Sequence, residues 1–296
     1  MEVTQIDDKP KIREIIGSIE QLPTPPFVFQ QIAKILSNPY TSAFDIAAII
    51  SEDAAITAKV LKLTNSAYYG LAHKISNVKQ AVVVIGLEAL KSLVLSSSLI
   101  DAFGKGKQID KNYTEAYWRH SLATAIMAKI LARITHRTEL AFQEEAFSAG
   151  ILHDIGKLVI ASYLPEKHIE KMRFLQEHST NEHEAENIVF DCTHVEVGRY
   201  FAESWKLPRE LADAVYFHHA PASVPGDGAL PYLVHLANNL VHLSNENDVW
   251  GATRETSSFY LETWNRLGLN SDMQDKLIQE LAREYVKSET FLHLDR

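Results

Sequence analysis

The sequence predicts an all-α protein, and three features carry that prediction. Apolar residues recur with a helical period in nearly every segment, Pro- and Gly-containing breakers separate the periodic stretches, and no convincing β-hairpin is present. With 296 residues, 46% of them hydrophobic and 23% charged, the chain has the balance of a globular protein with an ample core. That length suits one large domain or two intimate ones.

The elements follow in order. Val28, Ile32, Ile35 and Leu36 form a first stripe, between the breaker Leu22-Pro23-Thr24-Pro25-Pro26 and a stop at Asn38-Pro39. Ile46, Ala47, Ile49 and Ile50 open a second helix, which the Ser42 hydroxyl is placed to cap. Ile56, Val60, Leu61 and Leu63 open a third. The run Val82-Val83-Val84-Ile85 has strand composition, but Val78, Ala81, Val82 and Ile85 share one helical face, so it reads as a buried helix. A further buried helix runs from Leu87 to Ile100, and Gly104-Lys105-Gly106-Lys107 is a short polar link. Helices are then expected over 115–133, 139–153, 166–178, 194–205, 208–219 and 229–244, with 220–228 a loop. Segments 261–267 and 273–286 close the chain as a helical pair. The expected organisation is an N-terminal helical part over 1–106, a helical bundle over 107–245 and a C-terminal extension over 246–296.

Composition narrows the chemistry. The net charge is −9, which disfavours a non-specific nucleic-acid binder, since that needs basic surface to displace phosphate counterions. Ile46–Gly70 faintly resembles a helix-turn-helix, but no basic recognition helix accompanies it, so nucleic acid is a weak third choice. The acidic N-terminus lacks a signal-peptide pattern and no apolar run approaches a membrane span, so a cytoplasmic location is expected. Thirteen histidines accompany one cysteine, which rules out disulfide scaffolds and zinc ribbons within one chain. Cys192 reads as a lone buried thiol.

The most informative segment is Gly150-Ile151-Leu152-His153-Asp154-Ile155-Gly156-Lys157. An adjacent His-Asp pair is costly to bury unless it is paired or metal-bound. One reading is a helix-end pair in which Asp154 accepts from imidazole or backbone amides. The other is a borderline divalent metal such as iron, zinc or manganese. Gly156 is expected to permit a tight exit from the helix, and Lys157 to neutralise an anion over the site. Around this segment stand His120, His194, His218-His219 and Asn238, in that order except that His120 precedes it. His178, His183, His235, His242 and His293 have no partner evident from spacing, and His73, His136 and His168 read as solvated surface.

This order resembles the H…HD…D motif of the HD superfamily of metal-dependent phosphohydrolases, and it is similar to the HD-GYP branch. The resemblance implies an HD-like helical bundle in which His120, His153, Asp154, His194, His218 and His219 are metal ligands. Asn238 occupies the place of the final Asp, where an amide oxygen is a neutral and weaker ligand. The segment Ala220-Pro221-Ala222-Ser223-Val224-Pro225-Gly226 lacks the GYP signature, which disfavours cyclic-dinucleotide hydrolysis. The N-terminal third is closer still to another family. Leu22–Pro26, Ile49-Ile50-Ser51-Glu52-Asp53-Ala54, Leu61–Gly70 and Ile75-Ser76-Asn77-Val78 resemble the HDOD, or HD-related output domain, family over about residues 15–220. One departure is Ala54, where the family usually places Pro.

What the HDOD resemblance implies is a bacterial signalling module, most of whose members have lost part of the HD ligand set and have no established catalysis. This chain keeps more of the set. The preferred expectation is a stand-alone regulator with a retained metal-binding site for Fe, Mn, Zn or Mg, acting on a signalling protein or a small anionic ligand. The alternative is a metal-dependent phosphohydrolase with Asp154 and Lys157 as catalytic residues, and Arg119 beside Lys157 against developing negative charge. Asn65-Ser66-Ala67-Tyr68-Tyr69-Gly70 is expected to be a helix C-terminus rather than a recognition loop.

Overall fold

A computed structural model describes residues 28, 30–32, 42–104, 109–135, 139–178, 180–226, 228–244 and 258–293. Every regular element among them is helical. The N-terminal region contributes α1 (Ala43–Glu52), α2 (Ala54–Thr64), α3 (Val78–Ile85) and α4 (Leu87–Gly104). The central bundle comprises α5 (Lys111–Ile134), α6 (Leu140–Leu152), α7 (Ile155–Tyr163), α8 (Pro165–Glu177), α9 (Glu182–Phe190), α10 (His194–Ser204), α11 (Arg209–Phe217) and α12 (Ala229–Ser244). The helices α13 (Ser258–Arg266) and α14 (Gln274–Lys287) follow, and Trp264, Leu277 and Leu281 bury their side chains in the same core as α5 and α12. The breaker at 22–26, Ile35, Leu36, Asn38-Pro39, residues 105–107 of the link and His136 lie outside the described residues.

Local chemistry explains where the helices start. Ser42 and Asp45 form a reciprocal capping box at α1, each satisfying a backbone amide of the other. Asp53 caps α2 through the amides of Ala55 and Ile56, and Asn77 caps α3. Asn65 closes α2 and also ties the chain back to both backbone groups of Ile75, a structural role for the Asn65–Gly70 segment. The Val82–Ile85 run is helical. Val82 and Ile85 face inward with Val78 and Ala81, while Val83 and Val84 are 70% and 49% exposed.

Two apolar clusters result, and α4 faces both. Leu90 and Val94 pack with Val28, Ile32, Ile46, Ile50 and Val60, while Leu93 and Leu99 join the larger core built on α5–α12. Within that larger core, α5 packs along α6 and α12, and α10 packs against α7 and α11.

Two helices escape the periodicity argument. Every residue of α7 from Ile155 to Ala161 is buried, so no polar face marks it, and Gly156 lies inside its first turn rather than at a helix exit. The helix α9 begins with Glu182, His183 and Glu184, and its buried face includes the charged Glu186. The 220–228 loop contains one short 3₁₀ turn, Pro221–Ser223.

What Gly156 does permit is close approach. A Cβ there would lie 1.9 Å from the His194 carbonyl oxygen, and a Cβ on Gly198 would lie 3.2 Å from the Gly156 amide. Gly150 plays the same part between α6 and α5, where a Cβ would lie 2.4 Å from Ala125 Cα. Both obstacles are backbone, so neither can rotate away. Gly156→Ala should therefore destabilise the fold by about 3 kcal/mol, the upper range for overpacking a rigid contact. Urea denaturation measures this directly; a loss below about 0.5 kcal/mol would mean that α7 and α10 separate freely.

Candidate metal centre

The site residues come from helix ends. His153 is the C-cap of α6 and Asp154 the N-cap of α7, so a single helix-to-helix junction projects both side chains into one crevice. His194 is the first residue of α10, whose start is fixed by a capping box between Thr193 and Glu196. His218 is the C-cap of α11 and His219 follows it. His120 comes from the buried face of α5.

These elements bring all six predicted His and Asp residues together. Asp154, 2% exposed, belongs to two groups: Asp154, His194, His218 and His219 in one, His120, His153 and Asp154 in the other. Within each group the potential ligand atoms lie within 4.8 Å of one another. Asp154 Oδ1 lies 3.3 Å from His194 Nε2 and 3.5 Å from His218 Nε2. Asp154 Oδ2 lies 3.3 Å from His153 Nε2 and 3.8 Å from His120 Nε2. One carboxylate thus turns a different oxygen toward each histidine group.

The outer nitrogens fix the tautomers. His153 Nδ1 is 2.8 Å from the Gly150 carbonyl, and His218 Nδ1 is 2.8 Å from the Val215 carbonyl. A carbonyl only accepts, so both Nδ1 atoms donate and each ring turns its Nε2 inward as the candidate ligand atom. His194 does the same through Glu186, whose Oε2 accepts from Nδ1 at 2.7 Å and from the His194 amide at 2.8 Å. An acceptor behind each imidazole is the arrangement that orients metal-bound histidines. His120 and His153 meet Nε2 to Nε2 at 3.3 Å, and His194 and His219 at 3.1 Å.

Charge is compensated around a closed circuit. Lys157 Nζ donates to Asp154 Oδ2 at 2.7 Å and lies 2.9 Å from Glu182 Oε2. The other Glu182 oxygen takes Lys171, which lies 3.6 Å from Glu186, and Glu186 holds His194 against Asp154. Three carboxylates (Asp154, Glu182, Glu186) face two ammonium groups (Lys157, Lys171), with His153 and His194 against the same carboxylates. Burial opposes ionisation of Asp154, but neighbouring His153 and the Lys157 ammonium outweigh it and hold the carboxyl well below its usual range. Burial also drives His120 and His219 well below the usual imidazole range and His218 down to about 3. Burial therefore disfavours charge on these three imidazoles.

The buried polar atoms fit a cation. Asp154 Oδ1, His218 Nε2 and Asn238 Oδ1 are buried without a hydrogen bond, all three of them atoms that can ligate. Neutral imidazole and carboxylate together suit Zn, Fe or Mn. A divalent ion held there supplies Lewis acidity and lowers the pKa of a bound water.

Several residues stand differently from the expectation. Lys157, 5% exposed, is committed to Asp154 and Glu182 rather than reaching over the site. Arg119 is exposed and pairs with Glu115 on its own helix. His168 is half-buried rather than fully solvated: it packs edge-on to Tyr113 at 4.4 Å, and burial with the nearby Lys171 lowers its pKa to about 4. Cys192, by contrast, is as expected: it is buried in the core and joins neither histidine group.

Sequence reasoning missed the supporting residues. His235 Nδ1 donates to the His218 carbonyl at 2.7 Å, and His242 stacks on His120 with ring centres 4.8 Å apart. Both lie on α12 at helical spacing from Asn238, which is 7% exposed, so the 235–238–242 spacing was the available signal. Glu182, Glu186 and Lys171 left no comparable signal, because their helices look like ordinary charged surface. Glu186→Gln should weaken Zn(II) or Mn(II) binding by about 10- to 100-fold, the usual cost of losing a histidine's outer partner. Calorimetric titration reads it, and unchanged affinity in a folded variant would remove Glu186 from the site.

Comparison with known proteins agrees with this architecture. The HDOD domain family model matches residues 22–221. An uncharacterized protein from Treponema pallidum (strain Nichols) is 29% identical over 205 residues, covering 69% of this chain and 39% of that protein. The chain therefore spans well under half the length of that curated relative. An HDOD domain protein of unknown function from Geobacter sulfurreducens has a crystal structure with 26% identity and a TM-score of 0.78, covering 97% of this chain and 96% of that one. A Shewanella amazonensis SB2B protein assigned only provisionally as a phosphohydrolase gives 22% identity and a TM-score of 0.73, covering 95% and 97%, which extends the shared fold and nothing more. No helix among the described residues is long and apolar enough to cross a membrane. With the family model spanning two thirds of its length on an all-helical fold, the chain belongs to the HDOD domain family.

Proposed function

We propose that this chain is a metal-holding HDOD regulatory module, in which two divalent cations share Asp154. His120 and His153 hold one of them, and His194, His218 and His219 hold the other. The observation that carries the reading is the shared carboxylate: Asp154 faces both histidine groups while the acceptors behind His153, His194 and His218 turn their Nε2 atoms inward. The module acts on a signalling protein or on a small anionic ligand drawn to the cations.

The second reading, a metal-dependent phosphohydrolase, is favoured by the same geometry, because paired metals clamp both oxygens of an in-line displacement. Two features weigh against turnover. Lys157 is held by two carboxylates and is not available to a phosphoryl group. Asn238 offers a neutral amide oxygen where a carboxylate would strengthen the ligand field.

Metal analysis of protein purified without oxygen, joined to a phosphomonoesterase and phosphodiesterase screen with Fe(II), Mn(II), Zn(II) and Mg(II), separates the readings. Bound metal, lost in Asp154→Ala, with no turnover above background, is the expected result. Turnover that Asp154→Ala abolishes would replace the regulatory reading with the phosphohydrolase one. A folded protein that refuses every metal would overturn both. Asn238→Asp should tighten metal binding by about tenfold, equivalent to about 1.4 kcal/mol, and unchanged affinity would place Asn238 outside the site.

A further inference from the structure

Away from the histidine cluster, α4, α6 and the turn between α10 and α11 enclose a cavity of about 330 Å³. That volume lies within the range of small-molecule sites, roughly 300–1,000 Å³. Val94, Leu95, Leu207 and Leu211 supply apolar wall. The buried hydroxyls of Ser92 and Ser148 meet at 2.9 Å, and Ser92 also reaches the Glu144 carbonyl at 3.1 Å. Passing both protons along Ser148, Ser92 and that carbonyl leaves lone pairs on Ser148 and no unused hydroxyl donor.

The charged lining is acidic. Glu88 is paired with Lys91 at 2.6 Å, and Glu144 with Lys129 at 2.6 Å. Glu145 and Glu210 have no ion-pair partner among the described residues, and both are exposed at the mouth with Lys206. Partial burial, then the fields of Glu210 and Glu88, raise the Glu145 carboxyl above its usual range. The mouth thus sets two carboxylates against the Lys206 ammonium, and its field draws a cation and repels an anion.

We propose that this cavity binds a small organic cation with an apolar body, its ammonium between Glu145 and Glu210 and its hydrocarbon against Leu95, Leu207 and Leu211. The site does not depend on the metal reading. Its walls are nonetheless continuous with the histidine cluster: α6 leads into His153, α10 begins at His194, and α11 ends at His218. An occupant would touch α6 and α11, which lead to cluster residues, and the turn that follows α10.

Hexylamine, hexanol and hexanoate, titrated into the full chain and followed by amide NMR, test the assignment without added metal. Hexylamine should perturb the amides of Ser92, Ser148 and Leu207. Hexanol should bind about tenfold more weakly, as expected for loss of a charge-assisted hydrogen bond, and hexanoate more weakly still. The double variant Glu145→Gln/Glu210→Gln changes two exposed side chains, so the fold should survive, and it should reduce hexylamine to the affinity of hexanol. The proposal is overturned if no amine binding is seen, if perturbations map elsewhere, if hexanol matches hexylamine, or if the preference persists in the double variant.

Discussion

A fully buried carboxylate must be compensated, and the architecture around Asp154 follows from that requirement. An isolated charge in a protein interior is costly enough that it would protonate instead. Here Lys157 meets one oxygen, and imidazoles surround both. Lys157 in turn needs Glu182, Glu182 needs Lys171, and Lys171 brings in Glu186, which returns to Asp154 through His194. Removing any member would leave its neighbour buried and unpaired, which is far more damaging than the net worth of the pair. Within the circuit Asp154 Oδ1 and His218 Nε2 are buried without a hydrogen bond, both of them atoms that can ligate.

The backbone makes that circuit possible. Helix ends carry His153, Asp154, His194 and His218, and adjacent helices meet there at short range. Gly156 lets α7 lie directly on the first turn of α10, which sets the Asp154 to His194 separation. On the opposite side, α12 touches the site twice, with His235 on the His218 carbonyl and His242 on the His120 ring. The His/Asp cluster is thereby held by helix ends rather than by long loops.

Much of this was legible in the sequence where chemistry and periodicity coincided. Ser42, the inward face of Val78–Ile85 and the amphipathic helices of the bundle each followed from a local rule. His153-Asp154 stood out because such a pair is expensive to bury, and the order of the other ligands carried the HD-like resemblance. Three kinds of feature did not show. The helix α7 lacks a polar face, so periodicity has nothing to register. Glu182, Glu186 and Lys171 look like solvated surface until tertiary contact buries them against one another. Gly156 signals conformational freedom in sequence, yet its function is the absence of a Cβ beside another backbone, which only packing reveals.

The central claim is that one carboxylate serves two metal positions. Electron paramagnetic resonance during Mn(II) titration tests it most directly, because two ions sharing a carboxylate couple magnetically. The account predicts a spin-coupled pair that forms in the native chain and is lost in Asp154→Ala. A single uncoupled Mn(II) signal at saturation, or a coupled pair that survives Asp154→Ala, would contradict it.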